Sequence, residues 1–421
     1  MDRIQPILAE ERNLSGPDYF LLWAGAAVSL AEIWAGGLLT PLGLAAGILV
    51  IALGHVVGSF PMAWGGIIGS RTGLPTMVIV RPSFGERGSY FAASLNVIQL
   101  IGWTAVMLWI GGHTAAAVGG GDPGFWILAL GAVTTAWAVI GHRYWKWLHR
   151  VAVTALLILC VVMTVVIFRE YGWSPLAQVR GEPGLSFMLG LDLVIAMPIS
   201  WLPLVCDYSR YSRSTGACFW GTWIGYLIVS SWMYVIGLAA ALATRSSTPD
   251  AVVIQMMASI GMILPAVIIV LFSTITTTFL DIFSTAISAM NIRPSLGERG
   301  GSLAAGALGL GVALVFPATQ YEHFLLFIGS MFCPLFGVVL ADFFILQGRA
   351  YQPEQLFTRG MYWYWRGVNP AAFASWAVGF AVYQTASRLT WPMGASLPSF
   401  LLAGALYLIL MRYGPTVKKV V

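Results

Sequence analysis

The feature that most constrains this chain is the recurrence of apolar stretches about 20 residues long, the length a helix needs to cross a bilayer. Twelve can be counted, at 18–41, 45–69, 89–117, 124–141, 150–169, 185–206, 216–244, 260–290, 302–317, 321–346, 370–387 and 396–413. In lipid every backbone donor and acceptor must be satisfied within the protein, so such segments fold as helices. Only 9% of the 421 residues are charged and 58% are hydrophobic, against about 25% charged in soluble domains. The expectation is an all-α membrane protein with twelve transmembrane helices.

Loop charge sets the expected orientation. With the N-terminus inside, 18 of the 22 lysines and arginines fall in inside loops or tails, and only Arg169, Arg180, Arg245 and Arg388 lie outside. That bias predicts cytoplasmic termini in a cell (plasma or inner) membrane, because basic residues are retained on the cytoplasmic side. Trp145, Trp147, Trp173, Trp363 and Trp365 stand at span ends and read as interfacial anchors. The loop His142–Arg150, basic and aromatic, reads as a membrane-surface anchor and not as a nucleic-acid site.

Two spans carry breaks. The sixth holds Pro198 and Pro203 within Ala196–Arg213. Proline removes a backbone donor and clashes with the preceding turn, so this segment is expected to kink or unwind. The first holds Ala31-Glu-Ile-Trp-Ala-Gly-Gly37, followed by Pro41. Interrupted spans opening two sets of five are the best sequence pointer to a secondary transporter's site. This predicts a first repeat at 18–169, a second at 185–346, two added spans at 370–413, a cytoplasmic segment at 1–17 and a tail at 414–421. A shorter match, Arg81-Pro-Ser-Phe-Gly-Glu-Arg-Gly88 against Arg293-Pro-Ser-Leu-Gly-Glu-Arg-Gly300, reads as shared loop chemistry meeting headgroups.

Few residues inside the spans can carry chemistry. Glu32 and Asp281 are acids at membrane depth, which marks them as functional by default. Thr274, Thr277 and Thr278 share one helical face, and hydroxyl oxygens suit a small hard cation, although threonines also join helices in membranes. Asn96, Gln99 and Trp103 share another face. Two amides and an indole suit a planar heterocycle, which stacks on the ring while the amides read its edge. Ser200 and Trp201, beside the span 6 break, are placed on the substrate side. Asp207, Arg210 and Arg213 end that span and are gating candidates. Cys160, Cys206, Cys218 and Cys333 have no paired spacing and read as small buried hydrophobes. The five histidines lack metal-ligand spacing, no phosphate-binding glycine loop is present, and no serine sits in a nucleophile elbow. The chain is therefore not expected to be an enzyme, to hold a cofactor, to bind nucleic acid or to need a protein partner.

With these residues in view, the chain resembles the nucleobase:cation symporter-1 family over nearly its whole length. The resemblance lies in Gly69-Ser-Arg-Thr-Gly-Leu-Pro75, Arg81–Gly88, Gly102-Trp103 and Asp207-Tyr-Ser-Arg-Tyr211. Ala31-Glu-Ile and Pro198-Ile-Ser-Trp-Leu-Pro203 are similar to the family's hydroxymethylpyrimidine transporters, associated with thiamine biosynthesis. The resemblance implies the five-plus-five inverted-repeat (LeuT-like) fold with discontinuous helices 1 and 6, alternating access and coupling to a cation, expected to be sodium. It also implies that Trp103 stacks on the substrate. Gly25 and Val28 match carbonyl donors to sodium, and Thr274, Thr277 and Thr278 match its span 8 ligands. Glu32 is extra, Gln99 stands one turn before Trp103 and off the family's usual offsets, and the amides expected on span 8 are replaced around Phe279–Asp281. These departures sit on the substrate side. A 4-aminopyrimidine offers an amino donor beside a basic ring nitrogen, which a carboxylate from Glu32 or Asp281 would hold in a charge-assisted pair. The expected function is import of hydroxymethylpyrimidine or a related thiamine precursor. The alternative is a cytosine or other nucleobase permease, with protons in place of sodium.

Overall fold

The computed structural model describes residues 4–140, 145–170, 172–179, 181–244, 263–316 and 320–413. The tail at 414–421 and residues 141–144 of the proposed anchor loop lie outside the described residues. In chain order the helices are α1 (Gly16–Ala27), α2 (Leu30–Gly37), α3 (Gly43–Thr72), α4 (Thr76–Ile79), α5 (Arg81–Phe84), α6 (Gly88–Gly119), α7 (Pro123–Ile140), α8 (Trp145–Glu170) and α9 (Trp173–Ala177). There follow α10 (Phe187–Trp201), α11 (Val205–Ser209), α12 (Thr215–Thr244), α13 (Ile263–Ile292), α14 (Gly297–Ala313), α15 (Tyr321–Ala341), α16 (Pro370–Arg388) and α17 (Ser396–Tyr413). A helix, or a broken pair, occupies each of the twelve expected spans. The ninth, expected at 302–317, begins at Gly297 and is 17 residues long.

Glycine seams determine how closely these helices approach. Gly54, Gly58, Gly65 and Gly69 on α3 face Val194, Pro198, Leu202 and Cys206, residues spaced by four along the sixth span. A Cβ at any of the four would collide with its partner. Small residues let helix backbones pack where lipid supplies no hydrophobic drive. The same logic joins α2 to α12: a Cβ on Gly36 would run into the Tyr234 backbone, and one on Gly237 into the Ile33 carbonyl. Gly36 and Gly237 therefore mark a close helix crossing, and the stretch Ala31–Gly37 that was expected to be broken is helical.

The break in the first span lies earlier, at Val28 and Ser29, where Ser29 turns to extended backbone (φ −144°, ψ 156°). Its hydroxyl accepts from the Glu32 N–H at 3.3 Å, capping α2. In the sixth span the break is also displaced. Pro198 sits inside α10, its ring against Gly58. The α-helix gives way only at Leu202–Leu204, a short 3-10 turn containing Pro203. The segments Phe187–Ser209 and Val270–Ile292 are buried along most of their length and form the centre of the molecule with α6.

The matching loops after spans 2 and 8 differ in environment. Arg293 is exposed, but Arg81 is buried. The Arg81 guanidinium donates to Asn291 Oδ1 at 2.8 and 3.1 Å and to the Leu356 carbonyl at 3.0 Å. It ties α5 to the end of α13 and does not meet headgroups. Trp173 and Trp365 are exposed, as anchors are. Trp363 lies under the guanidinium groups of Arg87 and Arg359. All four cysteines are buried and free.

Candidate substrate and cation sites

A tight cavity lies where the two breaks meet α6 and α13. It is lined by Ala26, Ser29, Ala31, Glu32, Trp103, Met107, Met197, Trp201, Thr277 and Asp281. Four of the six expected substrate residues are thus brought together: Glu32, Trp103, Trp201 and Asp281. The free room is about that of one water at most, so a ring can enter only if the lining side chains, the two tryptophans among them, give way. Trp103 and Trp201 are each 7% exposed, and neither indole N–H has a partner among the described residues. Asp281 is buried as well, with Oδ2 unpartnered. Thr277, on the same wall, also has a buried hydroxyl without a partner among the described residues. Buried polar atoms are nearly always hydrogen-bonded, so four residues with an open polar atom around one cavity describe a ligand that both donates and accepts.

The two acids differ sharply. Glu32 is 1% exposed, and both carboxylate oxygens are engaged away from the cavity. Oε1 accepts from the Tyr226 hydroxyl at 2.7 Å and Oε2 from the Ser230 hydroxyl at 2.8 Å. Of the two carboxylates expected to meet a substrate, Asp281 is the one left free to do so. Gln99 and Ser200 are also used by the fold. Gln99 Nε2 donates to the Ser200 carbonyl at 2.9 Å and to Asn96 Oδ1 at 2.8 Å. Asn96 Nδ2 in turn donates to the Pro203 carbonyl at 3.3 Å and to Ser288 at 2.7 Å. The two amides satisfy the carbonyls that the span 6 break frees, an obligation in a membrane interior. Gln99 Oε1 alone stays open. The Ser200 hydroxyl turns back onto the Met197 carbonyl at 2.6 Å and does not line the cavity.

On the cation side, the break leaves Gly25 without its usual helical donor, because the Ser29 N–H bonds the Ala27 carbonyl at 2.9 Å. The Val28 carbonyl faces α13, where the Ser273 hydroxyl donates to it at 2.6 Å. Thr276 Oγ1 donates to the Phe272 and Ser273 carbonyls of its own helix at 2.9 and 3.0 Å, whereas Thr277 lines the cavity. The α13 hydroxyls placed at the break are thus those of Ser273 and Thr277; of the expected Thr274, Thr277 and Thr278, it is Thr277 that lines the cavity. Thr274 faces α6, where a Cβ on Gly111 would lie 2.9 Å from its hydroxyl oxygen. Thr278 follows it on the same i, i+4 row; its hydroxyl is buried without a partner among the described residues. Carbonyl and hydroxyl oxygens converging without a charged ligand fit a small monovalent cation. Among the described residues no group of three His, Cys, Asp or Glu could hold a metal.

The gating candidates divide. Asp207 is buried and accepts from the Thr76 N–H at 3.0 Å, while the Cys206 N–H donates to Thr76 Oγ1 at 2.9 Å. This reciprocal pair locks α4 to α11. Arg210 is fully buried, its guanidinium 5.1 Å from the Tyr211 ring centroid. The Arg213 side chain is exposed and has no partner among the described residues; its backbone N–H bonds the Leu14 carbonyl at 3.0 Å. On the opposite side of the cavity Trp34 stacks on Tyr321 at 4.4 Å, and the Tyr321 hydroxyl donates to the Ala31 carbonyl at 2.9 Å. Both approaches are closed.

Sequence reasoning missed Ser273, Tyr321, Thr76 and Ser29. Ser29 had a signal, since Ser29-x-x-Glu32 is a helix-start pattern. Ser273 belongs to the i, i+4, i+8 row Ser273–Thr277–Asp281, which joins the cation oxygens to the acid. Tyr321 and Thr76 act across the fold and left no local trace.

Over residues 6–405 the sequence matches the family described as permease for cytosine/purines, uracil, thiamine, allantoin. A hydantoin permease of Microbacterium maritypicum is 24% identical over 343 residues, covering 74% of this chain and 69% of its own. A cytosine permease of Escherichia coli K12 is 26% identical over 354 residues, covering 81% and 77%. The solved structure of Mhp1, a nucleobase-cation-symport-1 family transporter in a closed conformation with bromovinylhydantoin bound, superposes with a TM-score of 0.87 at 21% identity, covering 100% of this chain and 97% of that one. The fold is therefore the LeuT-like, five-plus-five inverted-repeat fold with discontinuous first and sixth spans. The relatives are permeases and not enzymes.

Proposed function

Because this chain belongs to the family of permeases for cytosine/purines, uracil, thiamine and allantoin, we propose that it imports a pyrimidine by cation-coupled alternating access, with hydroxymethylpyrimidine or a related thiamine precursor as substrate. One observation carries this reading: Asp281 and the indole N–H groups of Trp103 and Trp201 stand open around a single tight cavity. A 4-aminopyrimidine supplies the matching groups. Its amino group and protonated ring nitrogen donate to Asp281, and its second ring nitrogen accepts from an indole. Hydantoin can donate an N–H to the carboxylate but has no basic ring nitrogen to protonate, so it offers no ion pair with Asp281.

Gly25, Val28, Ser273 and Thr277 would hold sodium, with Thr274 and Thr278 turned toward α6. The bound charge would draw α2 and α13 together beside the cavity, so that cation and substrate favour the same closed state. The repeats are assigned to 18–169 and 185–346, with 370–413 added and both termini cytoplasmic in the inner or plasma membrane. Asp207 and Arg210 belong to the closure on the terminal side.

The test is uptake of labelled hydroxymethylpyrimidine, cytosine, hydantoin and allantoin into vesicles, with sodium and pH gradients imposed separately. Uptake of hydroxymethylpyrimidine driven by sodium is expected. Its absence under both gradients would overturn the reading. Cytosine uptake alone would establish the second reading, a nucleobase permease, which the match to cytosine permease favours.

A further inference from the structure

Glu32 belongs to a buried cluster that reaches away from the cavity. Ser230, which donates to Glu32 Oε2 at 2.8 Å, is also hydrogen-bonded to His55 Nε2. His55 Nδ1 lies 2.8 Å from the Ile51 carbonyl. Glu32, Ser230 and His55 are each 1% exposed or less. They stand on α2, α12 and α3.

Counting hydrogens decides what such a chain can hold. A carbonyl only accepts, so His55 Nδ1 carries a proton. The Ser230 hydroxyl has one hydrogen and two neighbours. If it donates to Glu32, His55 Nε2 must donate to Ser230, which makes the ring doubly protonated beside a carboxylate. If it donates to His55, Glu32 must be protonated and donate to Ser230. In both arrangements one proton is shared between Glu32 and His55, and the cluster is neutral overall, as a site without solvent requires. Removing that proton leaves one of the three groups without its bond.

We propose that Glu32, Ser230 and His55 form a proton-binding site, separate from the oxygens at the span 1 break, whose proton ties α2 to α3 and α12. Tyr226 faces the same carboxylate, and its hydroxyl donates to Oε1 in either arrangement. Tyr234 stands edge-on to His55, with ring centroids 4.8 Å apart. Tyr321 reaches α2 from α15, and Asp281 shares the cavity wall from α13. Since α2 forms that wall, the proton fixes one side of the cavity.

The test uses the full-length protein in detergent and needs no substrate, so its outcome is separable from that of the transport reading. In the unfolded chain Glu and His titrate near about 4.3 and 6.5. Above about pH 6.5 the unfolded pair holds no proton while the folded cluster holds one, so stability falls as pH rises, by about tenfold in the unfolding equilibrium per pH unit until the cluster deprotonates. Below about pH 4.3 the unfolded pair holds two protons against one, and stability falls with acid. The wild-type melting temperature is expected to drop between about pH 7 and pH 9 relative to Glu32→Gln, whose amide gives Ser230 a permanent donor. Glu32→Met, of similar volume, serves if the glutamine variant does not fold. A profile parallel to the wild type in either variant would overturn the proposal. So would nitrogen NMR of the wild type showing His55 protonated only at Nε2.

Discussion

Ser273 and Thr274 are neighbours on α13 with opposite surroundings. The Ser273 hydroxyl touches the Val28 carbonyl, while that of Thr274 is buried against α6 with no partner among the described residues. Ser273→Ala is therefore expected to raise the sodium concentration for half-maximal uptake by tenfold or more, the loss of about 1.4 kcal/mol of ligation. Thr274→Val removes an unsatisfied buried hydroxyl, and such a change is neutral or stabilising by about 1 kcal/mol. Its sodium dependence is expected to match the wild type, measured by uptake across a sodium series. Equal effects of the two substitutions would return the cation face to the register first read from the sequence. For the substrate, Asp281→Asn keeps the shape and removes the charge. It is expected to weaken uptake at least tenfold while leaving sodium binding within a few-fold, because charge-assisted bonds are about twice as strong as neutral ones.

At the scale of elements, the fold depends on close backbone crossings. Gly237 approaches the Ile33 carbonyl so closely that no side chain fits, and that crossing positions α2 and with it Glu32. Gly237→Ala forces the two helices apart and is expected to cost about 1–3 kcal/mol or more, read as a lower melting temperature. Asp192 shows a second device. Its carboxylate accepts from the Ala395 and Ser396 N–H groups, both at 2.8 Å, and so caps α17 from α10. Asp192→Ala leaves those two donors unpaired at a helix N-terminus, with an expected loss of about 1–2 kcal/mol. The melting temperature of purified protein measures both. Element by element, the spans themselves were legible, because apolar length is a local property. The breaks were legible in number but not in place. Pro198 looked like a helix breaker, yet its ring fills the hollow left by Gly58, and the helix runs on to Trp201. Gly36 and Gly37 also looked like a break, yet both are helical and Gly36 serves a crossing.

Across the whole molecule, closure is built from contacts between distant segments. Thr76 holds Asp207 on one side, and Tyr321 holds Ala31 and Trp34 on the other. Tyr321→Phe removes one hydrogen bond and keeps the ring stack. It is expected to shift the closed state toward the open one by roughly fivefold, the worth of about 1 kcal/mol. Accessibility of a cysteine placed at Ala26 to a thiol reagent, measured in a cysteine-free background, is the readout.

The sequence by itself determined the solvent the chain lives in, the twelve spans, the pairing of two interrupted spans and the residues Trp103, Trp201 and Asp281 at the cavity. Each follows from composition or short-range pattern: the bilayer requires apolar length, and an acid or an indole beside a break stands out against lipid-like neighbours. Only the tertiary structure decided which polar groups are free. Gln99 and Asn96 read as ligand groups until the carbonyls of Ser200 and Pro203 were seen to occupy them. Glu32 read as a substrate acid until Tyr226 and Ser230, nearly 200 residues away, were found on its two oxygens. A buried polar group takes whatever partner the packing brings, and in a chain of crossing helices that partner is set by three-dimensional neighbours that no local spacing records.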